Sequence, residues 1–348
     1  MLDYVKMLAI LMMPIIHVIE ELSVFDVSSD MPVGPFQSVI IALTLAPCTY
    51  AFLLTIGFGV SFTRKKRPRE LAGRGLRLLV LGLGLNLVRG AIPYLVNSAI
   101  MGDFDAEMLC GLIFTIDIIQ FTGMTYLLLA LLRACRVSDV ACIPIGILMC
   151  FVGQYLTKNV QPDGFWARLL LSPLCFSMET SYFPILNMFI YAASGNLLGI
   201  LIQRAKKRDL LFRNLLIGGM PALALFLLIC HFAGLDIRRF WVYSMFTEDL
   251  VTMVFCILIF LLELAVFHYV HRLFGNRMIG RYARFCGVHL NTIYLIHWVL
   301  LGFAVFIAFP LLDIPRLSFE AAVLGGILLM IVSIWITSLL PKSMNLAR

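Results

Sequence analysis

Of 348 residues, 61% are hydrophobic and only 14% are charged, and the mean hydropathy is +0.97. That excludes an ordinary soluble domain, in which about 25% of residues carry charge. The net charge of +7 does not call for a nucleic-acid partner, because the basic residues gather at the ends of apolar stretches, where membrane topology accounts for them. Nine cysteines lie mostly in apolar segments without CxxC spacing, which argues against a disulfide framework and against a metal site.

Apolar stretches of about 20 residues recur along the chain, the pattern of an all-α integral membrane protein. They predict about ten transmembrane helices, at 5–25, 36–62, 74–96, 111–133, 140–157, 184–203, 211–232, 248–270, 288–309 and 320–340, in a single polytopic domain over 1–348. The connectors RKKRPRE, RACR, QRAKKRD and HRLFGNRMIGRYARF are basic, and they alternate with connectors such as DVSSDMP and QPDGF that are not. An N-terminus in the cytoplasm puts 21 of the 27 Lys and Arg on that side. Arg89, Lys158, Arg168, Arg238, Arg239 and Arg316 are left outside. The positive-inside rule then predicts cytoplasmic N- and C-termini, and the expected location of this multi-pass protein is the plasma membrane.

The first stretch, LDYVKMLAILMMPIIHVIEEL, carries Lys6, His17, Glu20 and Glu21. Eleven residues make about three helical turns, so Lys6 and His17 share a face with about 16 Å between their backbones. Glu20 and Glu21 follow at i+3 and i+4 from the histidine. Ionisable groups at the centre of a span cost at least ~2.5 kcal/mol on insertion scales, which makes them functional candidates. Lys6 has a plainer reading, in which it snorkels to the headgroups. For His17, a carboxylate one turn away fixes the tautomer and raises basicity, as general-base catalysis requires. One of the two glutamates can simply mark the interface.

Further along, Arg74 and Arg77 are spaced RxxR at the start of the third span. Their first role is topogenic, but paired guanidinium groups at a cytoplasmic mouth also suit phosphates. No P-loop or GxGxxG motif stands in the strand context that it needs. In FTIDIIQFTG, a helix through Asp117 and Gln120 sets both on one face; the alternative for Asp117 is an ion pair with Arg89 that braces the bundle. The outer connection 158–183 is amphipathic, and Trp166 and Tyr182 could stack on a sugar ring. Glu263 and His268 read as structural or interfacial. In HLNTIYLIHW, Asn291, Tyr294 and Trp298 follow one stripe while His297 points elsewhere, and interhelical hydrogen bonding is the alternative role for Asn291.

Together these segments resemble the membrane acyltransferase superfamily, which includes acyltransferase-3 proteins and the heparan-α-glucosaminide N-acetyltransferase-like group. Its first helix carries an acidic residue, a basic or polar one, ten positions and a histidine, here Asp3, Lys6 and His17. FTRKKRPRELAGRGLRLLVLGLGLNLV looks like the basic loop and third helix that follow. FTIDIIQFTGMTYLLLALL is similar to the fourth helix of the N-acetyltransferase-like branch, and IGRYARFCGVHLNTIYLIHWVLL to the segment near the family's C-terminal end. Lys6 departs from the arginine usual in acyltransferase-3 members, so the charge stays but bidentate contact is lost.

The resemblance implies transfer of an acyl group, acetyl foremost, from cytosolic acyl-CoA to a hydroxyl or amine of an extracytoplasmic carbohydrate or glycolipid. It implies no metal, and it leaves a homodimer open. In that scheme His17 is the base, oriented by Glu20 or Glu21, while Lys6, Arg74 and Arg77 hold the donor. Asp117, Gln120, Asn291, Tyr294 and His297 line the acceptor side. The competing reading is a proton-coupled transporter or flippase with His17, Glu20, Asp117 and His297 as a relay. The absence of a strong internal repeat argues against it.

Overall fold

A computed structural model of the chain describes residues 1–340 except 28–29, 31, 45–47, 64–66, 161, 176–180, 237–239 and 241–249. Arg64, Lys65, Lys66, Arg238, Arg239, Lys342 and Arg348, which entered the charge count, lie outside the described residues. The described chain is helical, with two isolated β-bridges, Ser23 to Leu317 and Ile116 to Ser181.

Among the described residues, seven helices are long and apolar enough to cross a membrane: α1 (Leu2–Leu22), α4 (Pro68–Met101), α9 (Ile185–Arg204), α10 (Arg208–Phe232), α11 (Leu250–Phe274), α12 (Met278–Leu311) and α13 (Phe319–Leu339). Between them run α2 (Gly34–Thr44), α3 (Tyr50–Phe62), α5 (Ala106–Phe114), α6 (Ile118–Ala134), α7 (Cys142–Asn159) and α8 (Phe165–Leu171). A π-helical turn interrupts α4 at Leu87–Ala91 and α12 at Ala304–Ala308.

Small residues set the close contacts, because in lipid helices associate by packing rather than by a hydrophobic drive. On the face between α3 and α9, a Cβ on Gly57 would strike the Ala192 backbone, and one on Gly195 the Leu54 backbone. Gly75 of α4 and Gly123 of α6 lie against each other's carbonyls in the same way. Helix α1 packs against α13 and α12, with Gly326 against the Ile15 backbone. Helix α10 rests on α11 and keeps most of its apolar surface exposed, as a lipid-facing helix does.

Three expectations need correction. The span expected at 111–133 is two helices, α5 and α6, parted at Thr115–Asp117. The physical reason is a capping box: the Asp117 carboxylate accepts the Ile118 N–H at 2.6 Å, and the Gln120 Oε1 accepts the Asp117 N–H at 3.3 Å. Asp117 therefore stands at a helix start, not on a helix face. The basic connector 271–285 is mostly helix, since α11 and α12 run to within three residues of each other and carry their arginines at their ends. Similarly, the span expected at 74–96 runs over 68–101, with Pro68 opening it and the Glu70 carboxylate accepting the Arg67 N–H at 3.1 Å. The span expected at 36–62 corresponds to α2 and α3, with 45–47 outside the described residues.

Candidate active site

Helix α1 carries Lys6 and His17 on one face, and each opens onto its own cavity. The histidine cavity, about 270 Å³, is lined by His17, Glu20 and Glu21 of α1 and by Asp117, Tyr182 and Tyr294. The lysine cavity, about 240 Å³, is lined by Lys6, Arg74, Thr55, Tyr126 and Asn291, and again by Tyr294. Ile118 and Tyr294 line both, so the two spaces meet at a partition built from one residue of α6 and one of α12.

In the histidine cavity, the His17 Nδ1 lies 3.0 Å from the Glu20 Oε2. A carboxylate only accepts, so Nδ1 carries the proton, and Nε2 of the neutral ring keeps its lone pair. The imidazole is braced on its faces as well. Trp298 lies 4.3 Å from it between centroids, and His297 stacks parallel to it at 5.6 Å and 8°. His297 is fully buried and turns its Nδ1 to the Ile293 carbonyl at 3.2 Å. It therefore packs behind the His17 ring and lines neither cavity.

Asp117 is fully engaged. Its Oδ2 accepts from the Arg89 guanidinium at 2.6 Å and from the Tyr294 hydroxyl at 2.7 Å, while Oδ1 holds the α6 N-terminus. The Arg89 guanidinium sits 4.1 Å over the Trp298 ring. A continuous chain of contacts, Asp117–Arg89–Trp298–His17, thus ties the helix break to the imidazole. This is the ion pair that the sequence offered as the alternative role for Asp117. Gln120 is buried in the cap and packed against Gly82, away from both cavities.

The lysine cavity brings together two cations, Lys6 and Arg74, and Arg74 lies 4.9 Å over the Tyr126 ring. Two positive groups around one space make an anion site. Asn291 lies here, at the lysine end, rather than beside His17. Arg77 is exposed, its Nε donating to the Gly73 carbonyl at 3.2 Å, and it does not line this cavity.

Elsewhere, His268 and Arg272 of α11 both bind the Asp209 carboxylate of α10, at 2.8 and 2.9 Å, a structural clamp between neighbouring helices. The Glu263 carboxylate oxygens are buried without a hydrogen-bond partner among the described residues. Trp298 and Tyr126 escaped the sequence reading as site residues. The signal for Trp298 was its place one turn after Tyr294, on the stripe that meets α1. For Tyr126 it was a position two turns into α6, opposite the start of α4.

The family model for the catalytic region of heparan-alpha-glucosaminide N-acetyltransferase matches residues 1–231. The chain belongs to this family. The matched segment takes in α1, α3, α4 and α6, and so Lys6, His17, Glu20, Arg74, Arg89 and Asp117. The α12 wall with Asn291, Tyr294, His297 and Trp298 lies beyond it. No curated protein and no solved structure matches the chain. Membership of this acetyltransferase family makes the protein a multi-pass membrane protein of a transferase lineage. Among the described residues, no group of three or more His, Cys, Asp and Glu is arranged to hold a metal ion.

Proposed function

We propose that this protein is a transmembrane acetyltransferase that carries an acetyl group from cytosolic acetyl-CoA to a hydroxyl or amine of an extracytoplasmic sugar or glycan-like acceptor. The observation that carries the reading is the pair of cavities meeting at Ile118 and Tyr294, cationic at one end and basic at the other. The whole chain acts as one domain of about ten spans in the plasma membrane, with both termini cytoplasmic. The lysine cavity then faces the cytosol, and the 3′-phosphate and diphosphate of CoA meet Arg74 and Lys6, with Arg77 at the mouth. The pantetheine arm points toward the partition, and the span of about 16 Å from Lys6 to His17 matches its extended reach.

The acceptor enters the histidine cavity from the other side. His17 Nε2 takes the proton from its hydroxyl or amine as that atom attacks the thioester carbonyl. Glu20 holds the imidazole in the right tautomer and stabilises the imidazolium. When the tetrahedral intermediate collapses, the new C–O or C–N bond remains, the C–S bond breaks, and the proton on His17 passes to the departing thiolate. The products are the acetylated acceptor and free CoA. His297 and Trp298 keep the ring oriented, and Asp117, locked by Arg89 and Tyr294, fixes the wall.

The test is His17→Ala in proteoliposomes loaded with labelled acetyl-CoA. Losing a general base costs about 10²–10⁴ in rate, so acceptor acetylation falls at least a hundredfold while the protein stays folded. Acetylation at the wild-type rate would remove His17 from the mechanism. Proton flux driven by the acceptor without consumption of acetyl-CoA would move the assignment to a transporter.

A further inference from the structure

A third space of about 240 Å³ adjoins the histidine cavity, and Glu21, Tyr182 and Trp298 line both, forming a shared threshold. Past that threshold most of the lining side chains are apolar, with Arg89 and Thr115 among them. The walls are Met108, Leu112, Leu301, Val305 and Phe306, with Gly90, Gly111 and Gly302 leaving room between them. Of the polar groups beyond the threshold, the Arg89 guanidinium is turned onto Asp117 and Trp298, and the Thr115 hydroxyl donates to the Gly111 carbonyl at 2.7 Å. With both polar side chains engaged within the protein, the side chains left for an occupant to meet beyond the threshold are apolar.

The space exists because the chain breaks at Thr115–Asp117. A straight helix through 106–134 would carry α5 along α6, whereas the break lets α5 stand off as an outer wall. No residue of α5 is buried, and Met108 is 45% exposed. Helix α5 runs from a polar first turn, with Asp105 and Glu107 exposed, to an apolar end at Phe114, 48% exposed, so the wall of this space fits the border between headgroups and acyl chains.

We propose that the side cavity holds the hydrocarbon chain of the acceptor, which is therefore an amphiphile: its hydroxyl- or amine-bearing head sits at His17, and its chain crosses the Glu21–Tyr182–Trp298 threshold and runs out past α5 into the membrane. The inference rests on the acetyltransferase reading and names the acceptor class for that same site. The donor does not need this room. It arrives through the lysine cavity, on the far side of the Ile118–Tyr294 partition, and an acetyl group carries a single methyl beyond its carbonyl. The cavity also lies on the lipid-facing side of the base, where an acceptor anchored in the outer leaflet approaches laterally.

The full-length protein in nanodiscs is assayed with acetyl-CoA and two acceptors of identical head, methyl glucosaminide and decyl glucosaminide. Leu112→Trp and, from the opposite wall, Val305→Trp fill the cavity. Each buried methylene is worth about fourfold in affinity, so both variants raise KM for the decyl acceptor at least tenfold and leave KM for the methyl acceptor within twofold. Partition into the bilayer favours the decyl compound equally in wild type and variants, so it does not produce this split. Equal effects on both acceptors, or none on either, overturn the inference. A selective loss of octanoyl-CoA use in the variants overturns it too and gives the cavity to the donor. A decyl glucosaminide with a diazirine at the chain tip supplies a readout independent of turnover. It labels 106–114 or 301–306 in wild type and in His17→Ala, and the label is lost in Leu112→Trp. Turnover without that labelling defeats the inference alone. Labelling without any turnover defeats the transferase reading and leaves a site for an amphiphile.

Discussion

Asp117 carries three loads at once: it starts α6, neutralises Arg89 and receives the Tyr294 hydroxyl. Asn caps a helix about as well as Asp does, so Asp117→Asn separates the cap from the charge. The helix start survives, while Arg89, only 8% exposed, is left buried without its counter-ion. Breaking one side of a buried pair costs about 3–5 kcal/mol, and thermal unfolding in detergent should fall accordingly. Replacing both partners with apolar residues, Asp117→Leu with Arg89→Met, should recover most of that loss, because the desolvation cost disappears along with the attraction. A single Asp117→Asn with unaltered unfolding would mean that water or lipid headgroups already screen the guanidinium. At this scale the sequence was informative where charge made a residue expensive. Lys6, His17, Glu20 and the Arg89–Asp117 pair all stood out, because an ionisable group in an apolar run must have a partner or a purpose. Tyr126 did not stand out, and Trp298 was placed on a stripe but given no role, since aromatic residues are ordinary in such runs and only the packing of α12 on α1 and of α4 on α6 shows what they touch.

Helix boundaries were less legible than helix identity. Hydropathy places apolar runs but cannot tell a continuous span from two helices joined at a cap, and so α5 and α6 read as one. The DIIQ sequence carried the missing signal, an acidic cap followed three residues later by glutamine at the head of an apolar run. The same break shapes the side cavity, since Thr115 and the α5 residues Met108, Gly111 and Leu112 line it. Glycine contacts also act at this scale. Gly57 and Gly59 lie two residues apart on α3, yet a Cβ on Gly57 would enter the Ala192–Asn196 backbone of α9 while one on Gly59 meets open space. Gly57→Ala should therefore force α3 from α9 and lower the yield of folded protein severalfold, whereas Gly59→Ala, a better helix former in an unobstructed place, should fold as wild type. Size-exclusion profiles and melting temperatures of the two variants side by side decide it. Equal behaviour would mean that α9 shifts to accommodate the methyl.

For the whole molecule, direction matters most, since a transferase that works across a bilayer must keep the lysine cavity on the donor's side. The two cavities and the charge count supply independent arguments for one orientation. The sequence assigns 21 of the 27 Lys and Arg to the side of Lys6, which the positive-inside rule expects to be cytoplasmic, and the cavity lined by Lys6 and Arg74 suits the cytosolic donor proposed above. Seven of the ten expected spans correspond to helices long and apolar enough to cross on their own. The other three expected spans, 36–62, 111–133 and 140–157, correspond to α2 with α3, α5 with α6, and α7, none of which meets both criteria. Two native thiols report the orientation without any engineering. Cys135, exposed just past the end of α6, sits on the predicted cytoplasmic side, and Cys110, half-buried in α5, sits on the opposite one, whereas the other seven cysteines are buried. A membrane-impermeant maleimide should therefore modify Cys135 in inverted vesicles and not in intact cells, and Cys135→Ser should remove that signal. Labelling of Cys135 from outside would reverse the molecule, put Lys6 and Arg74 on the side that holds no CoA, and leave the proposed direction of acetyl transfer without a donor.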